Sequence, residues 1–541
     1  MNTRDTELSV TEQQVCHDPP WSSLDDLVTQ AATGFGAREF LRFEDGTSLS
    51  FAEFDRLTRH IAQTLVSRGV LPGDRVAIMM SNGPGWPLSW LGVLRAHAVA
   101  VPVNSRYQAS DLAYVLQDSG ASMVLTDDAL HAPVVNSAEE FSTVRCVVPI
   151  SEILSAPTPP ISGGPTQPPL KAGDVANLQY TSGTTGLPKA CVLTNDYWLR
   201  VGWLAAAAGE MSRSDVVLTS QPYSYIDPQW QTVMCLISGA TLVVLPRFSV
   251  SGFWPAIREH EVSFFYVLGT MPLLLFRQPE STQDREHHVR LVMCSGIPPG
   301  MHKNFEERWG APWREVFGMT ETGIDLFVPS RAEETVGTGA MGKPVANKEV
   351  RVASSEGETL GDGEVGEMII RGAPMMREYY NRPDDTAAAI IDGWLHTGDL
   401  VFRDQMGWFH LVGRSKDMVR RGGENISAAE VENVLGQHPF VVASAVTAIP
   451  DELFGEEVKA FVKLREGSMA DLDNVRSLLA FARSRVASFK VPRYVEFVGE
   501  FPMTPSERIS KPKLLAEQRL RRRNVYDAHV DSWLDEPDDG F

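Results

Sequence analysis

"DRVAIMM" has the pattern of a buried strand, and "GWPLSWLGVLRAHAVAVPVN" and "DLAYVLQDSGASMVLTD" follow it, each a helix-type stretch running into a further apolar strand. This alternation constrains the fold more than any other feature, because a helix lying between two strands is the crossover that makes them parallel. Ahead of it, "SFAEFDRLTRHIAQTLVSRG" sets Phe54, Leu57, Ile61 and Leu65 at helical spacing. The alternation resumes through "TLVVLP", "VSFFYVLG" and "VRLVMCSG". Short strands then crowd together in "EVRVA", "GEMIIRG", "GWLHTGDLVF" and "GWFHLVGR", and a last module mixes helix and strand signals from "SAAEVENVLGQHP" to "RYVEFV". The expected fold class is α/β: a large N-terminal domain of mixed sheets flanked by helices, a β-rich subdomain, and a small α+β C-terminal domain. No internal repeat accompanies it.

A chain of 541 residues exceeds the roughly 250 to 300 residues at which single cores stop growing, which supports this division. Apolar residues at 43% and charged residues at 22% supply an ordinary globular core. A net charge of -20 argues against nucleic acid as a partner. Cys16, Cys146, Cys191, Cys235 and Cys294 lie far apart, a spacing that indicates neither zinc ligation nor a disulfide framework and fits a reducing compartment, the cytoplasm. The N-terminal stretch has no signal-peptide pattern, and no apolar run reaches the about 18 residues a membrane span needs.

"SAPTPPISGGPTQPP" reads as a connector and leads into "QYTSGTTGLPKACVLTN". Threonine, serine and glycine favour turns over element interiors, so Tyr180 to Lys189 is a loop. Its freed amides and hydroxyls form a concave set of donors suited to phosphate oxygens, and Lys189 adds a point charge. The spacing is not that of the P-loop. Read by itself, such a loop is as easily a plain surface turn. "GTGAMG", Gly337 to Gly342, matches the dinucleotide fingerprint G-x-G-x-x-G, yet it lacks the preceding strand and following helix which that fingerprint requires, and it is rejected.

The loop resembles the signature of the adenylate-forming superfamily. "PGDRVAI", "CSGIPPG", "FGMTETG", "MGKPVANKEVRV", "GWLHTGDL", "GRSKDMVRRGGENISAAEVE" and "SFKVPRYVEFVGEFPMT" resemble its other motifs in order, from about Leu27 to Leu515. "GGENISAAEVE" and "YIDPQW" are most similar to the acyl-CoA ligase branch, near carnitine-CoA-ligase-like members. The resemblance implies an enzyme that activates an acid with ATP as an acyl-adenylate and passes it to a thiol, with Mg2+ as metal and CoA as co-substrate. It also implies an N-terminal adenylation domain over 21–415 and a mobile lid over 416–520; composition reads as a polar tail over 1–20 and a solvated acidic tail over 521–541, from which Trp533 could dock.

Residue by residue, the resemblance assigns Thr181, Ser182, Gly183, Thr184, Thr185, Gly186 and Lys189 to the β and γ phosphates. Thr184 and Glu321 would hold the metal. Gly296, Ile297 and Pro298 would line the adenine and acid pockets, with Gly318 also facing the acid. The nucleotide segment is carried over from Glu315 through Val316, Phe317, Gly318 and Met319 to Thr320, with Phe317 stacked on adenine and Thr320 at the α-phosphate. Asp399 would accept the ribose hydroxyls and Arg414 would contact ribose or phosphate. Lys416 falls at the hinge, and Gly422 and Gly423 would let pantetheine pass close to the backbone.

The departures carry information as well. "PMTPSERISK" puts Arg508 where the family's adenylating lysine stands, a planar fork in place of a compact ammonium. Adenylation would survive, be slowed, or be lost. "PYSYIDPQW" puts Ser224 and Tyr225 where relatives carry an aromatic residue and a histidine; Tyr225 would gate the acid and thiol tunnels or sit in the core. Asp227 would meet a cationic substrate group or cap the next helix. Asn195 and Glu378 stand where histidine and glycine are common. Alternatives are an amine acceptor, a carrier-protein thiol, nitrite in a diazotisation, or a half-enzyme performing only thioester transfer. A carrier protein and a second copy of the chain, as a homodimer, are among the partners the resemblance allows.

Overall fold

The computed structural model describes residues 18–138, 143–157, 168–181, 188–414, 417–421, 424–451, 453–504, 509–518 and 525–534. Most of the connector therefore lies outside the described residues, as do Ser182, Gly183, Thr184, Thr185, Gly186, Lys416, Gly422, Gly423 and Arg508.

Among the described residues, strands assemble into sheets of six, fourteen and seven. The six-stranded sheet runs Cys146–Pro149, Met123–Thr126, Arg75–Met79, Val99–Val103, Val175–Thr181, Lys189–Thr194. Its first five strands are parallel, as alternation demands, and the last folds back antiparallel on its neighbour. In the fourteen-stranded sheet, Glu39–Phe43, Thr241–Val244, Val216–Thr219, Phe264–Leu268, Leu291–Ser295 and Trp313–Met319 form a parallel half. From Trp313–Met319 the chain reverses into Gly323–Phe327, and the remaining strands to Glu349–Ala353 are paired antiparallel. This second half is the β-rich subdomain expected from the sequence.

Helices Asn195–Ala208 and Ile226–Ser238 pack together within the largest core cluster. Their approach requires a residue without Cβ, since a methyl on Gly202 would meet Val233 Cγ1 at 2.4 Å. A second core stacks Trp254, Trp309 and Trp313 with Phe305, with centroids of Trp309 and Trp313 5.1 Å apart. Trp313 thus anchors the root of the strand at whose far end the sheet reverses. No helix among the described residues is long and apolar enough to cross a membrane. "GTGAMG" enters the strand Ala340–Pro344, not a helix.

The third sheet has its own core, built on Val419, Ile426, Val431, Val458 and Leu478, and begins at Met418. One expectation is corrected here. The acidic end, expected as a solvated tail from 521 from which Trp533 could dock, is ordered over Val525–Asp527 and Ser532–Leu534, which extend this sheet from Tyr494–Phe497. Trp533 lies 5.7 Å from Tyr526 and 6.0 Å from Phe497, centroid to centroid. Val525, Tyr526 and Trp533 supply apolar area, while the buried Asp527 pairs with Arg493 at 3.2 Å and the exposed Asp531 with Arg476 at 2.6 Å.

Trp313→Ala is expected to lower stability by about 3–5 kcal/mol through loss of area and the cavity left in the aromatic stack. A drop in the chemical-denaturation midpoint of the full chain measures it.

Candidate active site

The hydroxyl-rich loop joins two paired strands. Val175–Thr181 and Lys189–Thr194 are antiparallel, and Thr181 stands directly opposite Lys189. The Thr181 hydroxyl donates to the Lys189 carbonyl at 3.4 Å, so both ends of the loop sit at one mouth. Outside this hairpin the "MMREYYN" segment adds a third ribbon. Tyr380 N donates to Ala190 O at 2.8 Å, Val192 N to Glu378 O at 2.9 Å, and Arg377 N to Val192 O at 2.9 Å. Glu378 serves through its main chain and is exposed, so a glycine is not demanded there.

That ribbon brings in Tyr379, which reading the sequence did not single out. Lys189 Nζ pairs with Asp385 Oδ1 at 2.5 Å and lies 5.3 Å from the centre of the Tyr379 ring. The Tyr379 hydroxyl donates to Glu321 Oε1 at 2.8 Å. A cation at the loop mouth and a carboxylate on the fourteen-stranded sheet are therefore bridged by one phenol. Burial raises the Glu321 carboxyl above the usual range, while the Tyr379 donor and the charge of Arg414 pull it back. Burial and the neighbouring Glu321 push the Tyr379 phenol far up, which keeps it a donor.

Glu321 sits in the turn between Trp313–Met319 and Gly323–Phe327. The reversal is tight enough that a methyl on Gly318 would fall 2.0 Å from Gly323 O. Thr320 O accepts from Tyr197 Oη at 2.9 Å, and Glu321 O accepts from Met376 N at 2.6 Å. Behind the turn lies a buried ion pair, Lys348 Nζ to Asp325 Oδ1 at 3.1 Å, with both side chains wholly inaccessible. Asp325 also accepts from Thr322 Oγ1 at 2.5 Å, and Lys348 donates to Thr322 O at 2.8 Å and to Pro374 O. This pair fastens the turn to the chain that leads into the "MMREYYN" ribbon.

Gly296, at φ +99°, follows the strand Leu291–Ser295, and its N–H and that of Ile297 donate to Glu315 at 2.6 and 2.9 Å. Pro298 continues the same loop, half-buried. Glu315 is thus a clasp on the loop: burial pushes its carboxyl up to about 8 against the pull of the two amides. Val316 O accepts from Ser295 Oγ at 2.6 Å, Phe317 packs half-buried on the Leu326 cluster, and Met319 borders the main core. Asp399 and Arg414 are cross-strand neighbours, with Arg414 Nε donating to Asp399 Oδ1 at 2.8 Å.

Tyr225 is the cap residue of Ile226–Ser238, and its hydroxyl accepts from Asn104 Nδ2 at 2.9 Å. Asp227 lies in the first helical turn, where the helix dipole favours a negative charge. Asn195 acts structurally, since its side chain accepts from Leu24 N and donates to Asp174 O, each at 3.1 Å. Around the undescribed positions, Arg421 pairs with Glu424, Met503 bridges Ile509, and Lys511 reaches Glu432 at 2.8 Å and Asp417 at 3.7 Å.

Among the described residues no three His, Cys, Asp or Glu side chains gather as metal ligands. The lone carboxylate of Glu321 still fits Mg2+, which binds through one or two carboxylates together with phosphate oxygens and water. The whole arrangement lies where the parallel strands of both large sheets end, the place at which α/β sheets bind ligands.

The family model of AMP-binding enzymes matches residues 28–380, and that of the AMP-binding enzyme C-terminal domain matches 430–508. The chain belongs to the AMP-binding enzyme family. A crotonobetaine/carnitine–CoA ligase from Salmonella arizonae is 32% identical, covering 86% of this chain and 92% of that protein. A feruloyl-CoA synthase from an Amycolatopsis species is 35% identical, covering 86% and 93%. Among solved structures, o-succinylbenzoate CoA synthetase from Bacillus subtilis, in complex with its acyl-adenylate intermediate, superposes with a TM-score of 0.81 at 26% identity, covering 90% and 97%. A benzoate CoA ligase from Burkholderia xenovorans gives 0.82 at 25%, covering 91% and 99%.

Lys348→Met is expected to cost about 3–5 kcal/mol, because Asp325 is left charged and buried alone. Lys348→Met with Asp325→Leu should recover most of it, as a double-mutant denaturation cycle would show. The native state holds the Glu315 proton more tightly than the unfolded chain, so stability falls as pH rises from 4.5 to about 8. Glu315→Gln is expected to flatten that slope, read as denaturant midpoints at the two ends of the window.

Proposed function

We propose that this chain activates a carboxylic acid with ATP as an acyl-adenylate and passes the acyl group to the thiol of coenzyme A, as an AMP-forming acid–thiol ligase. Family membership supports the chemistry, and the observation that carries it is the bridge from Lys189 through Tyr379 to Glu321 at the mouth of the loop. Bringing an anionic acid to an anionic phosphate calls for fixed positive charge and donors where charge develops.

Lys189 is held by Asp385 in a partly exposed pair. Such a pair is worth little, so triphosphate oxygens displace the carboxylate readily and take the ammonium. Thr181, Ser182, Gly183, Thr184, Thr185 and Gly186 close around the β and γ phosphates. Thr320 meets the α-phosphate, Phe317 and the Gly296–Pro298 loop flank adenine, and Asp399, steadied by Arg414, receives the ribose hydroxyls. The acid oxygen attacks the α-phosphorus and pyrophosphate leaves; Glu321, with Thr184, would hold Mg2+, which would supply neutralisation of phosphate charge there. The acid enters beside Gly296 and Gly318 with Tyr225 as gate, and Asp227 would meet a cationic group on it. The lid then turns about Lys416, withdrawing Arg508 and presenting Gly422 and Gly423 to pantetheine. The free thiols of Cys146, Cys191, Cys235 and Cys294 support a reducing, cytoplasmic setting. A carrier-protein thiol and a homodimeric assembly belong to the same reading.

A second reading rests on Arg508: a half-enzyme that accepts a preformed acyl-adenylate and performs thioester transfer alone. Acid-dependent exchange of labelled pyrophosphate into ATP, over aliphatic, aromatic, amino and trimethylammonium acids and nitrite, separates the two. Exchange is expected, with AMP and an acyl-CoA seen by mass spectrometry. Glu321→Ala should lower kcat about 100- to 1000-fold, the scale of one lost electrostatic stabiliser. No exchange by the natural chain, restored by Arg508→Lys, would establish the half-enzyme instead.

A further inference from the structure

Three amide side chains, Asn177, Gln179 and Gln229, are buried to 0–1% exposure between the strand Val175–Thr181 and the helix Ile226–Ser238. Leucine or valine would fill such positions with no desolvation penalty, so buried amides here need a reason. Their hydrogen bonds run in one direction. The Trp90 indole, a donor only, points at Asn177 Oδ1 at 2.9 Å and so fixes which way that amide faces. Asn177 Nδ2 must then donate to Gln229 Oε1, at 2.8 Å. Gln229 Nε2 is left to donate its two protons to Tyr223 O at 2.8 Å and Tyr225 O at 3.0 Å, with Gln179 Oε1 also within reach at 3.2 Å. Gln179 Nε2 donates to Ser224 O at 2.6 Å.

Three consecutive carbonyls, those of Tyr223, Ser224 and Tyr225, are thus each held by a side-chain amide, whatever side chains the segment itself carries. Asn177, Gln179 and Thr181 alternate onto one face of the strand that opens the phosphate loop. The amide row therefore ties the gate segment rigidly to the nucleotide-binding hairpin.

We propose that Asn177, Gln179 and Gln229 are a positioning relay that registers the Ser224–Tyr225 segment on the nucleotide-binding hairpin and so sets the distance from acid carboxylate to α-phosphorus. The proposal rests on the acid-activating function above. None of the three amides touches substrate; they act through the segment they hold.

Gln179→Met keeps length and removes the amide. ATP affinity by calorimetry should stay within about twofold, while kcat for acid-dependent pyrophosphate exchange falls about ten- to hundredfold, the scale of a small misplacement of reacting groups. Hydrogen exchange should quicken at the amides of residues 223–226 and stay slow at 190–194. Gln179→Asn, polar but one methylene shorter, is the milder variant and is read in the same way. Unchanged kcat with unchanged exchange at 223–226 overturns the relay. So does a parallel fall of ATP affinity, thermal midpoint and kcat, which marks a purely structural amide. A natural chain that takes up no ATP overturns the acid-activating function, and hydrogen exchange then decides the relay alone: quickening confined to 223–226 supports it, and no change overturns it.

Discussion

The ammonium of Lys348 is sealed in the interior with the Asp325 carboxylate, and the polar groups around it have no solvent to turn to. Burial works against both charges, so the pair persists only in the geometry in which each satisfies the other and Lys348 also reaches the carbonyls of Thr322 and Pro374. Those carbonyls belong to the turn carrying Glu321 and to the approach to the Tyr379 ribbon. A shift of either would strand a buried charge. The pair thereby converts a short turn, which alone would be soft, into a rigid mount for a carboxylate.

From that mount the rest of the site follows by contact. Glu321 is reached by Tyr379, Tyr379 lies against Lys189, and Lys189 ends the hairpin opened by Thr181. The six-stranded and fourteen-stranded sheets are thus joined at their functional ends by side chains and behind them by the largest core, which takes Ile78 and Leu125 from one sheet and Leu242 and Met293 from the other, while each sheet adds a smaller core of its own. A chain of strongly negative net charge presents cations at this seam, Lys189 and Arg414, each matched by a carboxylate. Matched cations keep the seam intact and leave positive charge that an incoming phosphate can claim.

Much of the architecture was legible. Alternation of strand and helix pointed to the parallel halves, because side-chain period and crossover geometry are local properties of the chain. The spacing of glycine and hydroxyl residues marked the loop, and "FGMTETG" marked a nucleotide segment but not its form, since the tight reversal at Gly318 shows only when Gly323 is seen against it. Tyr379, Lys348 and Asp325 were not legible. Tyr379 sits in a doublet of aromatics that reads equally well as core, and Lys348 in a stretch where a lysine reads as solvated surface. At the end of the chain Trp533 was legible as a residue that could dock, but acidic composition hid the apolar residues Val525 and Tyr526 that order it as strand. Asn195 and Glu378 stood out only as minor differences in residue type; one ties down the first helix and the other lends only its backbone.

The sequence by itself determined the α/β class, the order of the motifs and the chemical types gathered for phosphate, because these depend on neighbours a few residues apart. Only the tertiary structure decided which charges meet. Lys189 and Asp385, Tyr379 and Glu321, and Gln179 and Ser224 are separated by 196, 58 and 45 residues along the chain. Such pairs form when burial of the intervening sheets brings them together, and a buried polar group then accepts whichever partner the packing supplies.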